Sequence, residues 1–82
     1  MTMIDNRLRM LLESNEQALS EGKLTTQMLK DVVYESMSFK EPIASDIRMV
    51  LVGLSVEKTS SEEIEVRLQQ AQRILNLNAD YD

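Results

Sequence analysis

The fold is decided most clearly by residues 60–76, SSEEIEVRLQQAQRILN. The apolar residues of this stretch recur at helical intervals: Ile64, Leu68, Ala71 and Leu75. This spacing places their side chains on one face of an α-helix. Ser60 with Glu63 has the spacing of a capping box, and so do Thr59 and Glu62 one residue earlier. The sequence therefore predicts a helix over residues 61–76, followed by a flexible acidic tail at about 77–82.

A second apolar stripe predicts a helix over residues 3–20. Its members share one helical face: Ile4, Leu8, Leu11, Leu12, Ala18 and Leu19. Gly22 follows where a helix commonly ends, because glycine adopts the left-handed backbone of a C-terminal cap. Asn15 lies on the stripe where a leucine is expected, so it marks either a polar seam or the edge of the apolar face.

Two shorter segments fill the middle of the chain. Residues 26–38 have apolar side chains at helical spacing after a cap at Thr25 or Thr26. Pro42 ends this helix by about residue 40 and suits the first turn of a third helix, which continues towards Leu54. Residues 49–56 are nearly continuously apolar and also fit a buried strand. We predict a helix, because no second strand is evident to pair with it.

These elements predict an all-α fold, a small bundle of three to four short amphipathic helices in one domain over residues 1–82. A chain of 82 residues buries a thin core, and it has no cysteine for a disulfide. Small proteins of this kind often gain stability by association, so a homo-oligomer is expected, with a dimer as the default. The methionines are expected to fill the core or, alternatively, to form an exposed binding face.

The composition argues against catalysis. There is no histidine and no cysteine, which removes the commonest proton shuttle, metal ligand and thiol nucleophile. The carboxylates at 62–65 lie where they complement a helix dipole, and those at 80–82 lie in the predicted tail. We therefore predict no catalytic residue, no cofactor and no metal site, and the protein is not expected to be an enzyme.

The charge distribution argues against nucleic acid and membrane. The net charge is −5, concentrated at the two ends of the chain, and there is no basic run to contact phosphates. Gln27 and Lys30 in the second helix are offset by Asp31 and Glu35, which makes a poor recognition helix. Charged residues near the N-terminus interrupt any signal-peptide core, and no apolar run could span a bilayer. A cytoplasmic location without direct membrane insertion is expected.

Protein binding is the stronger functional prediction. Amphipathic helices around a thin core often leave part of an apolar face uncovered. The candidate partner-binding residues lie on the first and fourth helices: Leu8, Leu11, Leu12, Ile64, Leu68, Ala71 and Leu75. Each could instead belong to the intramolecular core. Four arginines lie near these faces, where interfaces are often enriched in this residue: Arg7, Arg9, Arg67 and Arg73.

The opening Met1-Thr2-Met3-Ile4-Asp5-Asn6-Arg7 and the acidic end Asn76–Asp82, in 82 residues without cysteine or histidine, carry a resemblance. The chain resembles the cytoplasmic antiholins, lysis-inhibition accessory proteins of T-even phages. The likeness covers the whole length and depends on overall character and size. It implies a soluble protein in the host cytosol that binds the cytosolic part of the holin, supports a second, periplasmic antiholin and delays host lysis. It implies no catalytic residue.

The sequence therefore predicts a non-enzymatic regulator that acts through protein–protein contacts. Two alternatives remain at this level: a small nucleic-acid-binding transcriptional regulator, and a structural or assembly subunit of a phage. Retention of duplex DNA at low salt favours the first alternative. A large closed ring in solution favours the second.

Overall fold

The computed structural model describes residues 3–38 and 43–79, and these form four helices: α1 (Met3–Ser20), α2 (Thr26–Ser36), α3 (Ile43–Leu51) and α4 (Ser61–Ala79). The described part of the chain contains no strand, so the all-α prediction is confirmed and residues 49–51 belong to a helix. The boundaries predicted for α1 are confirmed.

The helices form a ring in which each contacts its two chain neighbours and α4 closes onto α1. In the described residues α1 does not pack on α3, and α2 does not pack on α4. The seam between α2 and α3 therefore lies on the side opposite the seam between α1 and α4. One apolar core draws side chains from all four helices, including Leu12, Val32, Ile47 and Leu68.

Two glycines set the ends of α1 and α3. Gly22 has φ +72°, and the Gly22 and Lys23 amides donate to the carbonyls of Leu19 and Ala18, which is the Schellman arrangement. Gly53 has φ +83° two residues after α3 ends, so the helix stops at Leu51 and does not continue to residue 54 as the apolar stripe suggested. Only glycine adopts this backbone region without strain.

The boundaries of α2 and α4 differ from the prediction. The second helix ends at Ser36, and the next two residues form a turn closed by amide donation from Met37 to Tyr34 and from Ser38 to Glu35. The fourth helix runs through Ala79, so it includes residues 77–79 and the end predicted at residue 76 is too early. Residues 80–82 and the predicted helix break around Pro42 lie outside the described residues.

Hydroxyl side chains cap two helices. Thr25, and not Thr26, caps α2 by accepting a hydrogen bond from the Met28 amide at 3.2 Å. Ser60 caps α4 by accepting from the Glu63 amide at 3.2 Å. This leaves fewer unpaired amides in the first turn of each helix.

We expect Ser60→Ala to lower the free energy of unfolding by about 1 kcal/mol, because the Glu63 amide loses its acceptor. Urea denaturation followed by circular dichroism measures this change. Ser60→Gly is the control and should cost only a few tenths of a kcal/mol, since glycine is itself tolerated at a cap. Equal stability of the alanine variant and the parent chain would contradict this account of the cap.

Candidate docking groove

The structure places the candidate partner-binding residues of the sequence in the core. Six of the seven are at most 3% exposed: Leu8, Leu12, Ile64, Leu68, Ala71 and Leu75. Leu11 is half-buried and packs against the same cluster. The stripes of α1 and α4 are therefore covered within the chain, which is the intramolecular alternative considered for them. A partner that approaches the intact fold meets different residues.

Asn15 is a polar seam inside this core. It is 2% exposed, and its side-chain amide donates to the Met28 carbonyl at 3.1 Å. The bond joins α1 to α2 near one end of the pair, and an ion pair of 3.1 Å between Arg7 and Glu35 joins them near the other. These contacts make the two helices antiparallel and fix their register.

Three of the methionines lie outside the core. Met10, Met37 and Met49 are 67%, 59% and 72% exposed, so the expectation that methionines fill the core is wrong for them. Met28 does pack against the core. The exposed methionines lie on three different elements, and single exposed apolar residues are common on protein surfaces.

A mainly apolar opening lies between α2 and the chain that leaves α3. We call this the α2–α3 groove and define it by its apolar lining: Leu29, Val33, Leu51, Val52 and Leu54. Its volume is about 370 Å³, and Lys30 stands among the lining residues. Val52 is 64% exposed. A volume of this size is at the low end for a binding pocket and accommodates a few apolar side chains.

One hydroxyl group ties the loop that follows α3 to the start of α2. Thr26, at the start of α2, accepts a hydrogen bond from the Val56 amide at 3.0 Å and donates to a Glu57 carboxylate oxygen at 3.1 Å. The loop also bonds to itself, because Thr59 and Lys58 donate backbone amides to Ser55. The loop beside the groove is therefore fixed to α2 by hydrogen bonds.

The groove has an apolar surface for contacts but few side chains that could take part in catalysis. Lys30 is its one ionisable lining residue. Across the described residues, no three acidic side chains converge as ligands of a metal ion would. Leu29 and Leu51 are almost fully buried, at 1% and 2% exposure, whereas Val33 and Leu54 are half-buried. Spacing within one helix carries no signal for which of its apolar residues a neighbouring helix leaves partly uncovered.

Within the described residues, none of the four helices combines the length and the apolar character that a bilayer crossing requires. Comparisons of the chain with protein-family models, with curated protein sequences and with solved structures found no match.

Proposed function

We propose that this protein is a non-enzymatic regulator that acts by binding another protein, and that the α2–α3 groove is its docking site. The observation that carries the proposal is an apolar groove with Val52 exposed at its edge, on a molecule whose described apolar stripes on α1 and α4 are largely buried. Apolar grooves on protein surfaces can accept the apolar face of an amphipathic helix.

The resemblance to the cytoplasmic antiholins supplies the identity of the partner. We assign the groove to an amphipathic segment in the cytosolic part of a phage holin. Binding stabilises the unassembled holin, which shifts its equilibrium away from the assembled form that permeabilises the membrane. The protein then delays lysis from the host cytosol, and it needs no catalytic group or cofactor to do so.

The test is titration calorimetry of the purified full chain with the purified cytosolic part of the holin. We expect Val52→Lys to abolish measurable binding, because a lysine at the edge of the groove places a charge against the apolar face of the partner. The variant should keep its fold, since residue 52 is exposed and a cation is favoured just after a helix C-terminus.

Val66→Lys is the matched control. Val66 is also an exposed valine, 46% accessible, but it lies on α4 and away from the groove. This variant should bind like the parent chain. Unchanged affinity of the Val52 variant, or equal loss in both variants, would overturn the assignment of the groove.

A further inference from the structure

A second opening lies on the opposite side of the ring, between α1 and α4, and its chemistry is polar. We call it the α1–α4 cleft. Its volume is about 520 Å³, and six residues line it: Glu16, Gln69, Gln72, Arg73, Asn76 and Leu77. The proposed docking function does not use this side of the molecule.

Hydrogen bonds across the seam decide which groups the cleft presents. The Gln72 amide donates to a Glu16 carboxylate oxygen at 2.9 Å. The Asn76 side-chain oxygen accepts a hydrogen bond from an Arg9 Nη1, so the NH₂ group of Asn76 remains to donate elsewhere. Arg73 makes no hydrogen bond or ion pair with any residue in the described part of the chain. At the end of the cleft near Asn76, the Asn76 NH₂ group and the Arg73 guanidinium can therefore donate hydrogen bonds to a ligand.

Arg9 and Arg73 form no ion pair with any of the residues that the structure describes. Arg9 is partly buried, and its Nε is buried without an acceptor in the described residues. Elsewhere the arginines Arg7 and Arg67 pair with Glu35 and Glu63. A guanidinium withdrawn from water is normally paired, because desolvation without a compensating charge is costly. Arg9 and Arg73 together therefore make this end of the cleft attractive to an anion, in a chain that is acidic as a whole.

We propose that the α1–α4 cleft binds a carboxylate side chain presented by an acidic peptide segment of a partner protein. The planar fork of Arg73 matches a carboxylate, and Asn76, three residues later on the same helix face, offers a second donor. Leu77, 61% exposed at the rim, receives an apolar neighbour of that carboxylate. The Glu16 carboxylate repels anions from the other end, so the ligand binds at the Arg73 end.

The experiment is a nuclear magnetic resonance titration of the full chain at constant ionic strength. The probes are a capped peptide of alternating leucine and aspartate, its leucine–asparagine counterpart, and inorganic phosphate. The aspartate peptide should shift the Nε–H signals of Arg73 and Arg9 and the NH₂ signals of Asn76, while the asparagine peptide should not. Equal shifts with both peptides, no shift at these groups, or tighter binding of phosphate would overturn the proposal.

Variants separate a defined site from general charge attraction. Arg73→Gln should weaken binding of the aspartate peptide about tenfold. Arg48→Gln removes the same charge from α3, where the guanidinium donates to the Ser45 hydroxyl at 3.2 Å, and should leave binding unchanged. Arg9→Met should keep the helical spectrum and weaken binding, because it removes both the charge beneath the cleft and the hydrogen bond that orients the Asn76 side chain. Equal weakening by the Arg48 and Arg73 variants would overturn the proposal. None of these outcomes depends on the α2–α3 groove.

Discussion

Leu68→Asp is expected to unfold the protein at neutral pH. Leu68 lies near the middle of α4 and is completely buried among the side chains of the common core. A carboxylate placed there has no partner and no water, which costs on the order of 4–5 kcal/mol. A domain of this length has a total stability of about 4–12 kcal/mol, so the substitution removes much or all of it.

The loss of far-ultraviolet circular dichroism and of a cooperative thermal transition measures this result. Gln70→Asp is the matched control, because residue 70 is exposed on the same helix and should change the stability by less than about 0.5 kcal/mol. The outcome also separates the two roles considered for the α4 stripe. A Leu68 variant with a native spectrum and an unchanged melting temperature would show that this face is not core.

Asn15→Asp is expected to destabilise the protein by about 3 kcal/mol at neutral pH, although the side chains have nearly the same shape. The Asn15 amide donates to the Met28 carbonyl at 3.1 Å, and a carboxylate in that place sets one acceptor against another. The site is buried, so the introduced negative charge also lacks solvation.

The penalty should diminish in acid. Burial raises the pKa of the introduced carboxyl above its unfolded value, because the neutral form is favoured and its O–H donates to the Met28 carbonyl. The folded state then binds a proton more readily than the unfolded state, so the deficit relative to the parent chain is complete above the folded pKa. It decreases as the pH falls through that pKa and is smallest below the unfolded value of about 3.9.

Urea midpoints of the variant and the parent chain, measured side by side across this pH range, test the dependence. Asn15→Leu is the control, since it removes the hydrogen bond without adding a charge. It should cost about 1–2 kcal/mol, and this cost should not change with pH. The stability difference between the Asp variant and the parent chain should change with pH. If it does not, the side chain at position 15 is not buried as the structure has it.

The sequence alone placed Asn15 on the apolar stripe of α1 but did not decide whether it is buried. Its position on an apolar stripe indicated a seam or an edge, and local spacing cannot separate the two because both give the same pattern on one helix. The choice depends on Met28, a residue of another helix whose carbonyl faces Asn15 across the α1–α2 seam. A contact between helices has no signature in either helix by itself.

The C-terminal end of α3 was also not fixed by local sequence pattern. The apolar run around Met49 fitted a helix or a strand, and the structure has a helix that stops at Leu51. The sequence predicted that this helix continues towards Leu54. The positive φ of Gly53, +83°, ends it earlier and leaves Val52 exposed.

The sequence by itself indicated an all-α bundle of three to four helices, the faces on which their apolar residues lie, and the absence of histidine and cysteine chemistry, because each depends on composition or on spacing within one segment. Only the tertiary structure decided that the stripes of α1 and α4 are covered, that Leu29 and Val33 line a groove, and that the Arg9 Nε is buried without an acceptor among the described residues. The physical reason is that burial of a helix face depends on the neighbour that packs on it, and that neighbour comes from a distant part of the chain.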